Sequence, residues 1–132
     1  MALKLTKELM KDSLYRHLME GETIEAMVYG QKINYLITLL SKYYFLALTN
    51  KRLLVMSVNP FFKEKELTAV NLEDIKGFNA KSNLNGKNVI IEGNEGRIFQ
   101  GIIPSTILGL SNHKEDLQVF LNKLQELNIY AV

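Results

Sequence analysis

The chain has 132 residues, 47% of them apolar and 23% charged, enough for one domain with a single buried core. Sixteen Lys and Arg against fourteen Asp and Glu leave a net charge of +2 with no strongly basic block, so nucleic acid is not an expected partner. There is no cysteine, which excludes disulfides, thiolate metal sites and a cysteine nucleophile; with no continuous apolar segment near the start, the expected location is the cytoplasm.

In chain order, Leu5 to Met19 is predicted as an amphipathic helix. Leu5, Leu9, Leu14 and Leu18 lie near one face, Thr6 caps it, Leu5 and Met10 are spaced as a hydrophobic staple, and Gly21 is the stop. This first segment, residues 1–21, is read as part of the same unit as the domain at 22–132. Packing against that domain is its main expected role, because so short a helix owes its stability to tertiary contacts. Glu22 to Tyr29 alternates as a half-buried strand, with Ile24, Ala26 and Val28 on the inner side. Gln31 to Lys42 contains KINYLITLLSK, whose apolar residues fit helical spacing while its β-branched content permits a strand; periodicity leaves helix, strand and loop open. A transmembrane reading of Ile33 to Thr49 fails on length and on Lys42 in its midst.

Tyr43 to Val58, YYFLALTNKRLLVMSV, reads as two apolar strands joined by a polar turn at Thr49, Asn50, Lys51 and Arg52. Asn59-Pro60-Phe61-Phe62 follows, then the charged Lys63 to Glu66, and then Asn71 to Phe78, NLEDIKGF, with Leu72 and Ile75 inward and Glu73 and Asp74 outward. Turn signals at Asn83-Gly86 and Gly93-Gly96 separate further strands. A last helix is predicted from Asn112 to Leu127, with Asn112 and Glu115 as a capping box and an apolar stripe of Leu117, Phe120, Leu121, Leu124 and Leu127.

The sequence L-T-N-K-R-L-L-V, followed by L-E-D-I, more strands and one C-terminal helix, resembles the bacterial pleckstrin-homology-like family over about Glu22 to Leu127. The resemblance implies a mainly β fold: a partly open antiparallel barrel of about seven strands with a C-terminal capping helix, here with an extra N-terminal helix. The expected core is Ile24, Val28, Leu46, Leu48, Leu53, Val55, Ile75, Ile90, Phe120, Leu121 and Leu124. The absence of tryptophan, with Phe120 the nearest aromatic on the capping helix, favours the bacterial branch over the eukaryotic one.

The catalytic inventory is thin. The only histidines, His17 and His113, lie in no recognisable motif and are expected as helix-surface or helix-start residues, so no catalytic residue, cofactor or metal site is assigned. The resemblance implies a non-catalytic binding or scaffolding module. Tyr35, Leu36, Leu39, Leu40, Phe61 and Phe62 exceed what a small barrel readily buries, so they are the expected contact of a homo-oligomer or of another protein, although completing the core would also account for them. A membrane-surface module is the alternative, with Lys32, Lys42, Lys51 and Arg52 as anion or lipid contacts. A small-ligand carrier or enzyme is weaker, since a barrel of this size is usually filled by its own side chains.

Overall fold

The computed structural model describes residues 4–32, 36–37, 40–127 and 130–131. A helix α1 (Lys7–Tyr15) precedes strands β1 (Ile24–Lys32), β2 (Lys42–Thr49), β3 (Arg52–Val58) and β4 (Glu64–Asn71). A 3-10 turn, Leu72–Asp74, leads into β5 (Ile75–Asn83), β6 (Gly86–Gly93) and β7 (Gly96–Pro104), after which come α2 (His113–Gln125) and a short β8 (Tyr130–Ala131). The strands form one sheet in the order β4-β3-β2-β1-β7-β6-β5-β8. Seven of them pair antiparallel, as expected; the eighth adds parallel to β5 at Gly77 and Phe78 only.

The sheet bends into a partly open barrel because β1 meets β7 through one register pair, Gln31 with Ile102. Two glycines permit that crossing: a Cβ on Gly101 would sit 2.8 Å from the Gln31 carbonyl oxygen, and one on Gly30 would sit 3.0 Å from Phe99. Inside lie Val28, Leu46, Leu48, Leu53, Val55, Ile75, Val89, Ile91, Phe99 and Ile103, sealed by Leu117, Phe120, Leu121 and Leu124 of α2.

β2 and β3 are buried on both faces, which is why their sequence is a continuous apolar run with little alternation. Their second face, Phe45, Ala47, Leu54, Met56 and Val58 with Tyr29 of β1, packs under Leu5, Met10 and Leu14 around α1 and under Leu110. Thr6 caps α1 by accepting the Leu9 N–H at 3.0 Å. Gly109, at φ +93°, passes so close to Leu5 that a Cβ there would fall 1.9 Å from the Leu5 carbonyl oxygen.

Several expectations are corrected. The first helix ends at Tyr15 rather than Met19, and the last runs from His113 to Gln125. Asn112 is left-handed, φ 60°, and makes no side-chain cap bond, so the capping box does not form. Ile90 is half-buried on the other side of β6, and Val89 and Ile91 take the core positions. An irregularity in the β1–β2 register between Ile24 and Ala26 turns Ile24 away from the barrel interior onto the α1 side. His113 is 2% exposed and belongs to the interior, not to the surface. In the 31–42 connection, Gln31 and Lys32 extend β1, and Leu40 N–H bonds to the Ile37 carbonyl in a turn; Tyr35 and Leu39 lie outside the described residues.

Candidate functional site

The antiparallel register that pairs Lys32 with Lys42 and Tyr43 with Val58 brings the β1–β2 connection and the β3–β4 turn to the same end of the sheet. The turn is built on Asn59. Its carboxamide oxygen accepts the N–H of Phe61 at 2.8 Å and of Lys63 at 3.1 Å, and its carbonyl accepts the N–H of Phe62 at 2.8 Å. Phe62 takes a left-handed backbone, φ 62°, which separates the two aromatics. Phe61 points outward, 65% exposed, whereas Phe62 turns back onto Tyr29, ring centroids 6.4 Å apart and nearly edge-on. Phe62 is therefore part of the packing under the turn. Leu36 is 96% exposed, and Ile37 and Leu40 are each more than half exposed, so four apolar side chains face solvent at this end.

Beside them opens a cleft of about 610 Å³ between β2, β3 and β4. Tyr44, Val55 and Ile98 give it an apolar lining, while Lys42, Lys65 and Ser57 supply polar groups. Ser57 Oγ accepts the Glu66 N–H at 3.1 Å, so part of that polar lining serves the β3–β4 ladder. Lys32 and Lys42 stand directly opposite one another across β1 and β2, an arrangement of like charges that costs stability unless an anion offsets it.

The other two basic residues expected here, Lys51 and Arg52, sit at the far end of the hairpin and are committed to structure. Arg52 donates from Nη2 to Glu22 Oε1 at 2.7 Å, from Nε to Glu22 Oε2 at 3.0 Å, and from Nη2 to the His17 carbonyl at 2.9 Å. Glu22 also accepts the Thr49 hydroxyl at 2.6 Å and the Met19 N–H at 2.9 Å. Its side chain is completely buried, and these donors, the Arg52 guanidinium first, hold its carboxyl down at a pKa of about 2. Asn50 completes the lock by donating to the Gly21 carbonyl and accepting the Thr23 N–H; Lys51 Nζ reaches the Glu20 carbonyl at 3.1 Å. The T-N-K-R motif thus fastens the end of the α1 segment to the β2–β3 turn.

Both histidines are likewise engaged. His113 Nε2 accepts the Tyr29 N–H at 2.9 Å, which leaves the proton on Nδ1 to be donated to the Pro104 carbonyl at 2.6 Å. Burial pushes its pKa down. His17 Nε2 is 2.6 Å from Glu64 Oε1, tying the α1 segment to β4. Sequence reasoning missed the interior place of His113 and the part of Lys65 in the cleft. Among the described residues no cluster of three metal-ligating side chains occurs, and no helix is long and apolar enough to cross a membrane.

The fold is similar to that of the hSac2 domain from the human phosphoinositide phosphatase Sac2, with a TM-score of 0.60 at 13% identity over 98% of this chain and 90% of that one. At that identity the likeness speaks for the fold. No curated protein sequence matches the chain. The family model described as "Bacterial PH domain" matches residues 18–108, from just after α1 to just before α2, and it includes the locked hairpin, the Asn59 turn and the cleft. The chain belongs to the bacterial pleckstrin-homology domain family.

Proposed function

We propose that this protein is a non-catalytic binding module that assembles with further copies of itself through the loop end of its barrel. The observation that carries this reading is the group of exposed apolar side chains there, Leu36, Ile37, Leu40 and Phe61. Contiguous exposed apolar surface larger than a few hundred Å² marks an interaction site. Each large side chain left in water forgoes about 1.5–3 kcal/mol that burial would supply. Assembly recovers that energy without a new fold. Comparing the solution mass of the intact chain with that of a Leu36→Glu, Phe61→Glu variant tests it: the intact chain should weigh a multiple of 15.1 kDa and the variant less. An intact chain at single-chain mass up to high micromolar concentration would remove the reading.

A second reading, docking on an anionic membrane surface, is favoured by the opposed Lys32 and Lys42 beside the apolar tips. Each lysine near such a surface contributes about 1 kcal/mol, so two or three supply weak attraction that the apolar tips would reinforce. Vesicles of phosphatidylcholine with phosphatidylserine should then sediment the protein at low salt, and a Lys32→Glu, Lys42→Glu variant should stay in solution. Equal retention of both proteins in the supernatant would dismiss this reading.

A further inference from the structure

The ladder between β1 and β7 consists of the pair Gln31 with Ile102. Two residues back along β1 and two forward along β7, the next antiparallel rung of the same kind would join Tyr29 to Pro104. That rung is made, with an imidazole spliced into it. The Tyr29 N–H donates to His113 Nε2 at 2.9 Å, and His113 Nδ1 donates in turn to the Pro104 carbonyl at 2.6 Å. His113 is the first residue of α2 and is buried, so one side chain fastens the start of the sealing helix to both strands where they part.

The bridge works in one protonation state. A neutral ring with its proton on Nδ1 accepts from one strand and donates to the other, whereas an imidazolium donates from both nitrogens and meets the Tyr29 N–H donor to donor. β1 and β7 present only main-chain groups to the ring, the Tyr29 N–H and the Pro104 carbonyl. The charges that act on it are Asp116 of α2 and Lys7 of α1. These two are paired with each other at 2.8 Å, so the carboxylate steadies an imidazolium less than it would alone. We infer that His113 is a proton-operated fastener of this corner of the barrel: mild acid expels the ring from between Tyr29 and Pro104 and frees the first turn of α2 with the 105–112 connection, while β2 and β3 stay closed. The device is independent of self-assembly. Burial makes the folded ring bind its proton more weakly than a free imidazole, whose pKa is 6.5. The corner is therefore fully fastened above that pH, and its opening grows about tenfold for each pH unit below it until the folded ring itself titrates.

Amide exchange read residue by residue by NMR between pH 8 and pH 5, corrected for the intrinsic rate, tests this on the intact chain. Protection at Tyr29 should fall about tenfold per pH unit below about 6.5, while Ala47 and Val55 in the β2–β3 hairpin hold theirs. Nitrogen-15 shifts of the His113 ring should place its proton on Nδ1 at pH 8. His113→Asn supplies an acceptor and a donor that do not titrate, so protection at Tyr29 should become level with pH in that variant. In the wild type, protection at Tyr29 that stays level down to pH 5, or that falls in step with Ala47 and Val55, overturns the inference. So does a ring proton found on Nε2 at pH 8. Should His113→Asn fail to fold, these wild-type measurements decide by themselves.

Discussion

Removing the guanidinium of Arg52 should be among the most damaging single changes in this protein. Arg52→Ala would leave the Glu22 carboxylate fully buried with only the Thr49 hydroxyl and the Met19 N–H to satisfy it. Breaking a buried pair by deleting one partner typically costs about 3–5 kcal/mol. For a chain of this length that corresponds to a drop in Tm of about 10–20 °C. The pH dependence carries a second signature. Glu22 binds its proton more weakly folded than unfolded, so its contribution is complete above about pH 4.5 and drains away as the pH falls towards about 2. Urea denaturation at neutral pH and near pH 3, on wild type, Arg52→Ala and Glu22→Gln, reads both effects. Glu22→Gln should flatten this part of the acid dependence. A loss below about 1 kcal/mol for Arg52→Ala, or an acid slope unchanged in Glu22→Gln, would show that the lock is a peripheral contact.

Other outcomes follow from the same geometry. Phe120→Ala, at a fully buried position between α2 and the barrel, should cost about 3–5 kcal/mol by chemical denaturation, and an unchanged Tm would mean that α2 does not seal the core. His113 should contribute fully above about pH 6.5 and progressively less below it, because burial lowers its folded pKa and protonation would turn its Nε2 into a donor facing the Tyr29 N–H. A His113→Asn variant should therefore be less stable at pH 8 and less sensitive to pH between 6.5 and 5; identical pH profiles would contradict this. Lys51→Ala should change stability by less than about 0.5 kcal/mol, since its ammonium makes one exposed bond to the Glu20 carbonyl.

The barrel was legible because its signals are local and repeated. Alternation marked β1, turn residues marked β5 to β7, and the apolar stripe of Leu117, Phe120, Leu121 and Leu124 marked the sealing helix. What escaped depends on long-range register. A single irregularity between Ile24 and Ala26 moved Ile24 to the other face, and no local pattern announces it. Asn112 has the right residue type for a cap, but with its left-handed backbone the side chain makes no cap bond, and His113 is drawn inward by two main-chain partners 84 and 9 positions away. The expected site divided for the same reason. Lys42 and Arg52 are ten positions apart in sequence, yet β2 holds them at opposite ends of a hairpin roughly 20–25 Å long. Phe61 and Phe62 are adjacent, yet one backbone dihedral sends them in opposite directions.

Amide hydrogen exchange on the intact chain, measured from low to high micromolar concentration, tests self-assembly through the loop end most directly. Exchange at residues 36, 37 and 40–42 and at the Asn59 turn should slow as concentration rises, while the β2–β3 turn around Asn50 keeps one rate throughout. Rates at the loop end that stay the same at every concentration, with the protein at single-chain mass, would contradict it.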